Sequence, residues 1–245
     1  MQKLAAVLLA GSLSVCFAAG PISGTFTIDG SVSVTETGIT WTSNTNVADQ
    51  ATISSLGLSG SFAALAGATV GINDLTDLPG DQPVGVSFSN FDFIDFPSAL
   101  AYPSLDANFF ALGSGNPANC STTGTPSAGQ TCTLTASTIP SEPDGSPFTF
   151  LNTLNGSNSC CNTSATWDIS GVTSDGLSTW SAIFASEFTV PYQTVLSNFE
   201  ANGFVSDSFS AAITVNLESA PEPSALMLAG SGLILVSLRF RRRKK

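Results

Sequence analysis

The side chains of this sequence that could do chemistry are carboxylates and cysteines. It holds 18 Asp and Glu and no His, and its seven basic residues are Lys3, Arg239, Arg241, Arg242, Arg243, Lys244 and Lys245. Without His or an interior Lys, the Ser-His-Asp and Cys-His bases, the Ser-Lys pair, a Schiff-base lysine and a phosphate-loop lysine are all excluded. Acid-base work would fall to carboxylates alone. The densest acids are Asp74, Asp77 and Asp81 around Leu78-Pro79-Gly80, followed by Asp92 and Asp95. Converging oxygens of this kind would hold calcium, although the spacing is not that of an EF-hand. As isolated loop acids they would simply be solvated. A carboxylate pair could also serve a glycoside hydrolase, which requires two side chains at a set separation. Asp144 and Asp175 each precede Gly and read as turn residues.

The same charge distribution decides which partners the chain can have. Nucleic-acid and phosphate binding rest on Lys or Arg neutralising charge and releasing counterions. The interior of this chain offers none, so nucleic acid is excluded as a partner. A net charge of -11 favours solubility and attracts divalent cations, which leaves calcium as the one cofactor to consider.

The five cysteines divide by position. Cys16 lies in a leading segment, MQKLAAVLLAGSLSVCFAAG, with one positive charge, an apolar run from Leu4 to Phe17 and small residues after it. This pattern is a secretory signal peptide over residues 1–19, cut after Ala18 or Ala19. Lipidation of Cys16 is the competing reading, disfavoured by the bulk of Val15. Cys120, Cys132, Cys160 and Cys161 survive the cut, and an exported chain meets an oxidising compartment in which disulfides form. Three connectivities exist. Pairing Cys120 with Cys132 would staple the Gly, Ser, Thr and Pro-rich stretch over residues 113–146, leaving the adjacent Cys160 and Cys161 to form a vicinal bond or remain partly reduced. Zinc is disfavoured because no His is present and the spacing is not C-x₂-C.

The elements that must position these groups follow from period-2 alternation. Phe26 and Ile28 with Val32 and Val34, Val84 to Phe88, Ala165 to Ile169, Trp180 to Phe184 and Phe209 to Leu217 each alternate apolar with polar residues. Each predicts a half-buried strand. Asp29-Gly30, Asn155-Gly156, Asp175-Gly176 and Asn202-Gly203 predict the turns between them. The expectation is an all-β fold, a single β-sandwich or jelly roll over residues 20–219, with one two-turn helix from Tyr192 to Glu200. Trp41, Trp167, Trp180, Phe91, Phe93 and Phe96 fit core positions. Placed on a face, they would instead stack on sugar rings, and the run FDFIDF from Phe91 to Phe96 suits exposure best because it puts apolar residues on both strand faces.

The C-terminus carries its own message. Pro221-Glu222-Pro223 is followed by an apolar run from Ala225 to Leu238 and then by RFRRRKK. A helix over residues 224–240 would be about 25 Å long, slightly short of a hydrocarbon core. Its Arg-rich end would stay cytoplasmic and leave the body of the chain on the far side of the membrane. This order of features resembles the PEP-CTERM sorting domain of Gram-negative bacteria, over residues 221–245. The resemblance implies that an exosortase, reached through the secretion machinery, recognises Pro221, Glu222 and Pro223. Arg239, Arg241, Arg242, Arg243, Lys244 and Lys245 would then act as the stop-transfer element, with the membrane helix serving as an anchor until processing. It further implies a destination at the cell surface or outside the cell. The role expected there is structural and non-enzymatic, in the envelope or extracellular matrix. A calcium-assisted polysaccharide-binding module is the second reading and a carboxylate-only hydrolase the third.

Overall fold

Strand alternation of this kind has to bury one face, and in the computed structural model it does so by closing a cylinder. The structure describes residues 20–76, 82–135, 145–157 and 159–218. The signal peptide, Asp77, Asp81, Asp144 and the sorting region all lie outside these ranges. Eleven strands form one antiparallel sheet: β1 (Gly24–Thr35), β2 (Ile39–Ser43), β3 (Gln50–Ile53), β4 (Thr69–Ile72), β5 (Ser87–Asp95), β6 (Leu105–Phe110), β7 (Thr131–Cys132), β8 (Thr149–Leu154), β9 (Cys160–Thr173), β10 (Ser178–Phe188) and β11 (Phe204–Leu217). Eight of them follow in the order β10-β11-β1-β3-β4-β5-β6-β9, and β9 pairs back with β10 to close a barrel. The all-β expectation holds, but a closed barrel replaces the expected sandwich. Both architectures bury alternate residues, so alternation alone does not separate them.

The four long strands β1, β11, β10 and β9 form the spine. Near one end of the barrel, β1 pairs through Ile28 and Asp29 with β3, and β9 pairs through Ile169 to Thr173 with β6. Toward the other end β1 exchanges β3 for β2, over Gly30 to Val34, while β9 exchanges β6 for β8, over Cys160 to Thr166. There the ring parts into two flaps, β2 on one side and β8 with β7 on the other. We call this end the mouth.

Two glycines permit close approaches, one where β1 exchanges β3 for β2 and one within the pairing of β6 with β9. Asp29-Gly30 does not form the expected turn, because β1 runs straight through it. A Cβ at Gly30 would stand 2.6 Å from the Thr42 carbonyl oxygen and 2.8 Å from the Phe209 ring, so the strand is bare where β2 takes over and the ring crosses it. At Gly171 the Asp106 backbone carbonyl presses against the place a Cβ would occupy, beside a register shift between β6 and β9 at Ala107 and Phe109. The same carbonyl accepts a hydrogen bond from Trp180 Nε1 at 2.9 Å.

The interior is filled by aromatic side chains, as a small barrel requires. Trp167 stacks on Phe184 with centroids 5.5 Å apart, Phe93 stacks on Trp180 at 5.9 Å, and Trp41 meets Phe209 edge-on at 4.9 Å. A second, smaller cluster of Cys132, Phe150, Ala165, Tyr192, Val195 and Leu196 closes the mouth. It is built on α1 (Tyr192–Asn202), the expected helix extended by two residues. Asn202-Gly203 is the helix C-terminus, with Gly203 at φ 77° donating to the Phe199 carbonyl, rather than a hairpin turn. Asn155-Gly156 and Asp175-Gly176 do lie in the turns that join β8 to β9 and β9 to β10. Val84 is buried, whereas Val86 is exposed and the strand begins only at Ser87.

Candidate functional site

Most of the described acids lie on the outside of the barrel and in its loops, while Glu36 and Asp207 line its mouth. Asp74 sits beside β2, where its Oδ1 accepts the Trp41 backbone N–H at 2.9 Å. Partial burial and the nearby Asp49 carboxylate raise its pKa above 3.8. The other two members of the expected calcium cluster, Asp77 and Asp81, lie outside the described residues, and among the described residues no three His, Cys, Asp or Glu side chains converge on a metal position. A separate acid group stands on the β5–β6 face. Partial burial raises the Asp95 pKa, Asp92 and Asp106 raise it further, and Asn73 opposes the shift through a hydrogen bond. Asp106 is likewise raised by burial and by Asp92, against the Ser104 hydroxyl that donates to it at 3.1 Å. Asp95 and Asp106 prefer the protonated state more than free carboxylates do, through burial and repulsion by neighbouring carboxylates. Asp175 is a turn residue as expected, accepting from Thr173 Oγ1 at 2.6 Å and from the Leu177 backbone at 3.0 Å.

The aromatics do not form an exposed platform. Trp41, Trp167 and Trp180 are buried in the barrel, and Phe93 with them. Phe91 and Phe96 are half-buried and pack against the same core. The FDFIDF run is accommodated by a register shift between Asp92 and Ile94, which lets Phe93 and its neighbour Ile94 both turn inward. This corrects the expectation of exposure.

The cysteines pair as Cys120–Cys132 and Cys160–Cys161. The first bond ties the 113–135 excursion to β7, and Cys132 becomes part of the mouth cluster.

A buried polar group at the mouth carries no sequence signature. Pro191 gives α1 no side-chain cap, so the first amide of the helix must find a partner elsewhere. Asn152 of β8 supplies it: its Oδ1 accepts the Tyr192 N–H at 2.9 Å and the Thr163 hydroxyl at 3.2 Å. The Asn152 amide donates to Gln193 Oε1 at 3.1 Å, and the Gln193 amide donates to Gln130 Oε1 at 3.2 Å. Only the pairing of β8 with β9 and the docking of α1 bring these residues together, and neither is written locally.

Above this group lies an apolar cleft between the parted flaps. Val34 and Glu36 of the β1 end face Leu134 and Phe148 across it, with Val195, Leu196 and Phe199 of α1 as its cover. Among the described residues, Glu36 and Asp207 are the charged ones that line it.

No helix among the described residues is long and apolar enough to cross a membrane. The expected helix over residues 224–240 lies outside them, as do Pro221, Glu222, Pro223 and the basic cluster. For that region comparison with known families is informative: residues 219–243 match the PEP-CTERM protein-sorting motif. The chain thus joins an all-β barrel to a stretch that matches a sorting motif, which supports a PEP-CTERM domain-containing protein. The motif implies a secreted, membrane-passing protein with exosortase as its sorting partner. No curated protein and no solved structure matches the chain significantly.

Proposed function

We propose that this is an exported structural protein of the cell surface or extracellular matrix, delivered by exosortase and without enzymatic activity. The observation that carries the proposal is the sorting motif at residues 219–243. The body of the chain supports it in three ways. Its side chains fill the barrel interior, the shape of a scaffold rather than of a substrate chamber. Most of its described acids stand on the outer face and in loops, where they keep an acidic surface hydrated and repel like surfaces. Its two disulfides suit an oxidising compartment.

Intact mass of the protein recovered from an exosortase-containing host tests the delivery. The expected product begins near residue 19 or 20 and ends near residue 222. Recovery of peptides spanning Arg241 to Lys245 from the released protein would overturn it.

A further inference from the structure

We propose that the mouth of the barrel beneath α1 binds a short, uncharged apolar molecule whose carbonyl oxygen accepts a hydrogen bond from Trp167. Two adjoining cavities lie there, of about 50 and about 30 Å³, and they share Val34, Phe148, Phe150 and Val205 as walls. The outer one is covered by α1, and the inner one reaches Ala165 and Trp167. A water-sized position takes roughly 12 Å³ on this measure, so an occupant threading both has about six non-hydrogen atoms.

The chemistry of the occupant follows from the groups around it. Trp167 is 2% exposed, and its Nε1 donor, like that of Trp41, has no hydrogen-bond partner among the described residues; of these two indoles, Trp167 is the one that lines a cavity. Buried donors are seldom left in this state, which calls for an acceptor. Water is a poor one here, since it needs two to four polar partners and the surrounding walls are mainly apolar. Of the polar groups that line the cavities, Ser186 Oγ donates to the Ser208 carbonyl at 2.7 Å, Ser146 Oγ accepts from the Phe148 backbone at 3.2 Å, and Asp207 Oδ1 accepts from the Ser208 backbone at 2.7 Å. A ligand hydroxyl would bring a donor of its own into apolar walls, whereas a carbonyl brings only an acceptor. A carboxylate is disfavoured by charge, because residues 20–218 contain no Lys, Arg or His and the lining includes Glu36 and Asp207.

Entry is provided by the cleft between the flaps and by the uneven hold on α1. The N-terminal end of the helix is pinned through Tyr192 and Gln193 to Asn152. Along its C-terminal half a further space of about 260 Å³ separates Asn198 and Asn202 from Phe188 and Phe204.

This site does not depend on how the chain is delivered, and its test is independent of sorting. The exported protein, with ¹⁵N-labelled indoles, is titrated with 2-pentanone, with its alkene isostere 2-methylpent-1-ene and with butanoate. The expected result is a selective shift of the Trp167 indole resonance with the ketone, and binding at least tenfold tighter than that of the alkene or the carboxylate. Trp167→Phe should erase the ketone's advantage while leaving alkene binding in place. Ala165→Val, which adds two methyl groups to the wall of the inner cavity, should weaken both about tenfold, with the resonances of Trp41 and Trp180 reporting that the barrel stays folded. An unmoved Trp167 resonance, equal binding of ketone and alkene, or nuclear Overhauser contacts from that indole to water alone would overturn the proposal.

Discussion

Asn152 Oδ1 accepts the backbone N–H of Tyr192 at 2.9 Å, so a β8 side chain does for α1 what the helix's own cap, Pro191, does not. The relationship ties one flap of the mouth to the spine. β8 belongs to that flap, α1 leads directly into β11 on the spine, and Asn152, fully buried, is the link.

Replacing Asn152 with Ala strands the Tyr192 amide, and Thr163 and Gln193 each lose one partner. Each unsatisfied buried group costs about 1–3 kcal/mol, with partial relief if water enters. Asn152→Ala should therefore destabilise the fold by about 3 kcal/mol, read as a fall in the urea midpoint. A loss below about 1 kcal/mol would mean that the network does not hold the helix.

Closure of the barrel at β6 and β9 makes a second prediction. Because the Asp106 carbonyl occupies the space of a Cβ at Gly171, Gly171→Ala must push two paired backbones apart, at a cost of about 1–3 kcal/mol typical of overpacking. Gly156, in an exposed turn with nothing within 4 Å of a Cβ, is the control. Gly156→Ala should stay within about 0.5 kcal/mol of the parent. Equal midpoints for the two variants would contradict the close approach.

The legible and the illegible parts of this structure differ in range. Ala165, Trp167 and Ile169 read as one inward face because the alternation is local, and the structure buries all three. The helix from Tyr192 was legible for the same reason, since Val195, Leu196 and Phe199 recur at helical spacing. Barrel closure was not, because it rests on an exchange of partners at Gly30 and a close approach of β6 at Gly171, and a glycine between alternating residues reads equally well as a turn. FDFIDF misled for a related reason: a register shift turns Phe93 and Ile94 to the same side, which strict alternation forbids. Of the residues proposed to carry function, only the sorting tripeptide had a signature. Asn152, Gln130 and Gln193 are ordinary surface-type residues in the sequence and acquire meaning only when three distant segments meet.

The carboxylates give a pH dependence with a definite sign. Asp29, Asp74, Asp95 and Asp106 all have pKa values raised above 3.8, chiefly by burial, and for the last three also by neighbouring carboxylates. The folded protein thus binds these protons more tightly than the unfolded chain does. Stability from this source should rise as pH falls from neutral through the raised values toward 3.8, then level off. Urea midpoints at pH 4.5 are expected to exceed those at pH 7. Asp92→Asn, which removes a repulsive neighbour of both Asp95 and Asp106, should stabilise the protein more at pH 7 than at pH 4.5. A midpoint that falls on mild acidification would mean that favourable pairing of these groups outweighs burial and repulsion.

The last prediction separates a processed sorting substrate from a permanent tail anchor by the residues each requires. An anchor needs only the apolar run from Ala225 to Leu238 and the cationic end from Arg239 to Lys245, so Pro221-Glu222-Pro223 replaced by three alanines should anchor as well as the parent. A processed substrate needs the tripeptide too. On that reading the two prolines would disfavour helical conformation around Glu222 and present its carboxylate to a bilayer-embedded transpeptidase. Alanine at all three positions would let the membrane helix continue toward the barrel and would remove the carboxylate. The triple-alanine variant is therefore expected to remain full-length in the membrane fraction of an exosortase-containing host, where the parent is shortened and released. In a host without exosortase both should stay full-length. Equal membrane retention of parent and variant in the exosortase-containing host would make the C-terminus an ordinary anchor and remove exosortase from the proposed function.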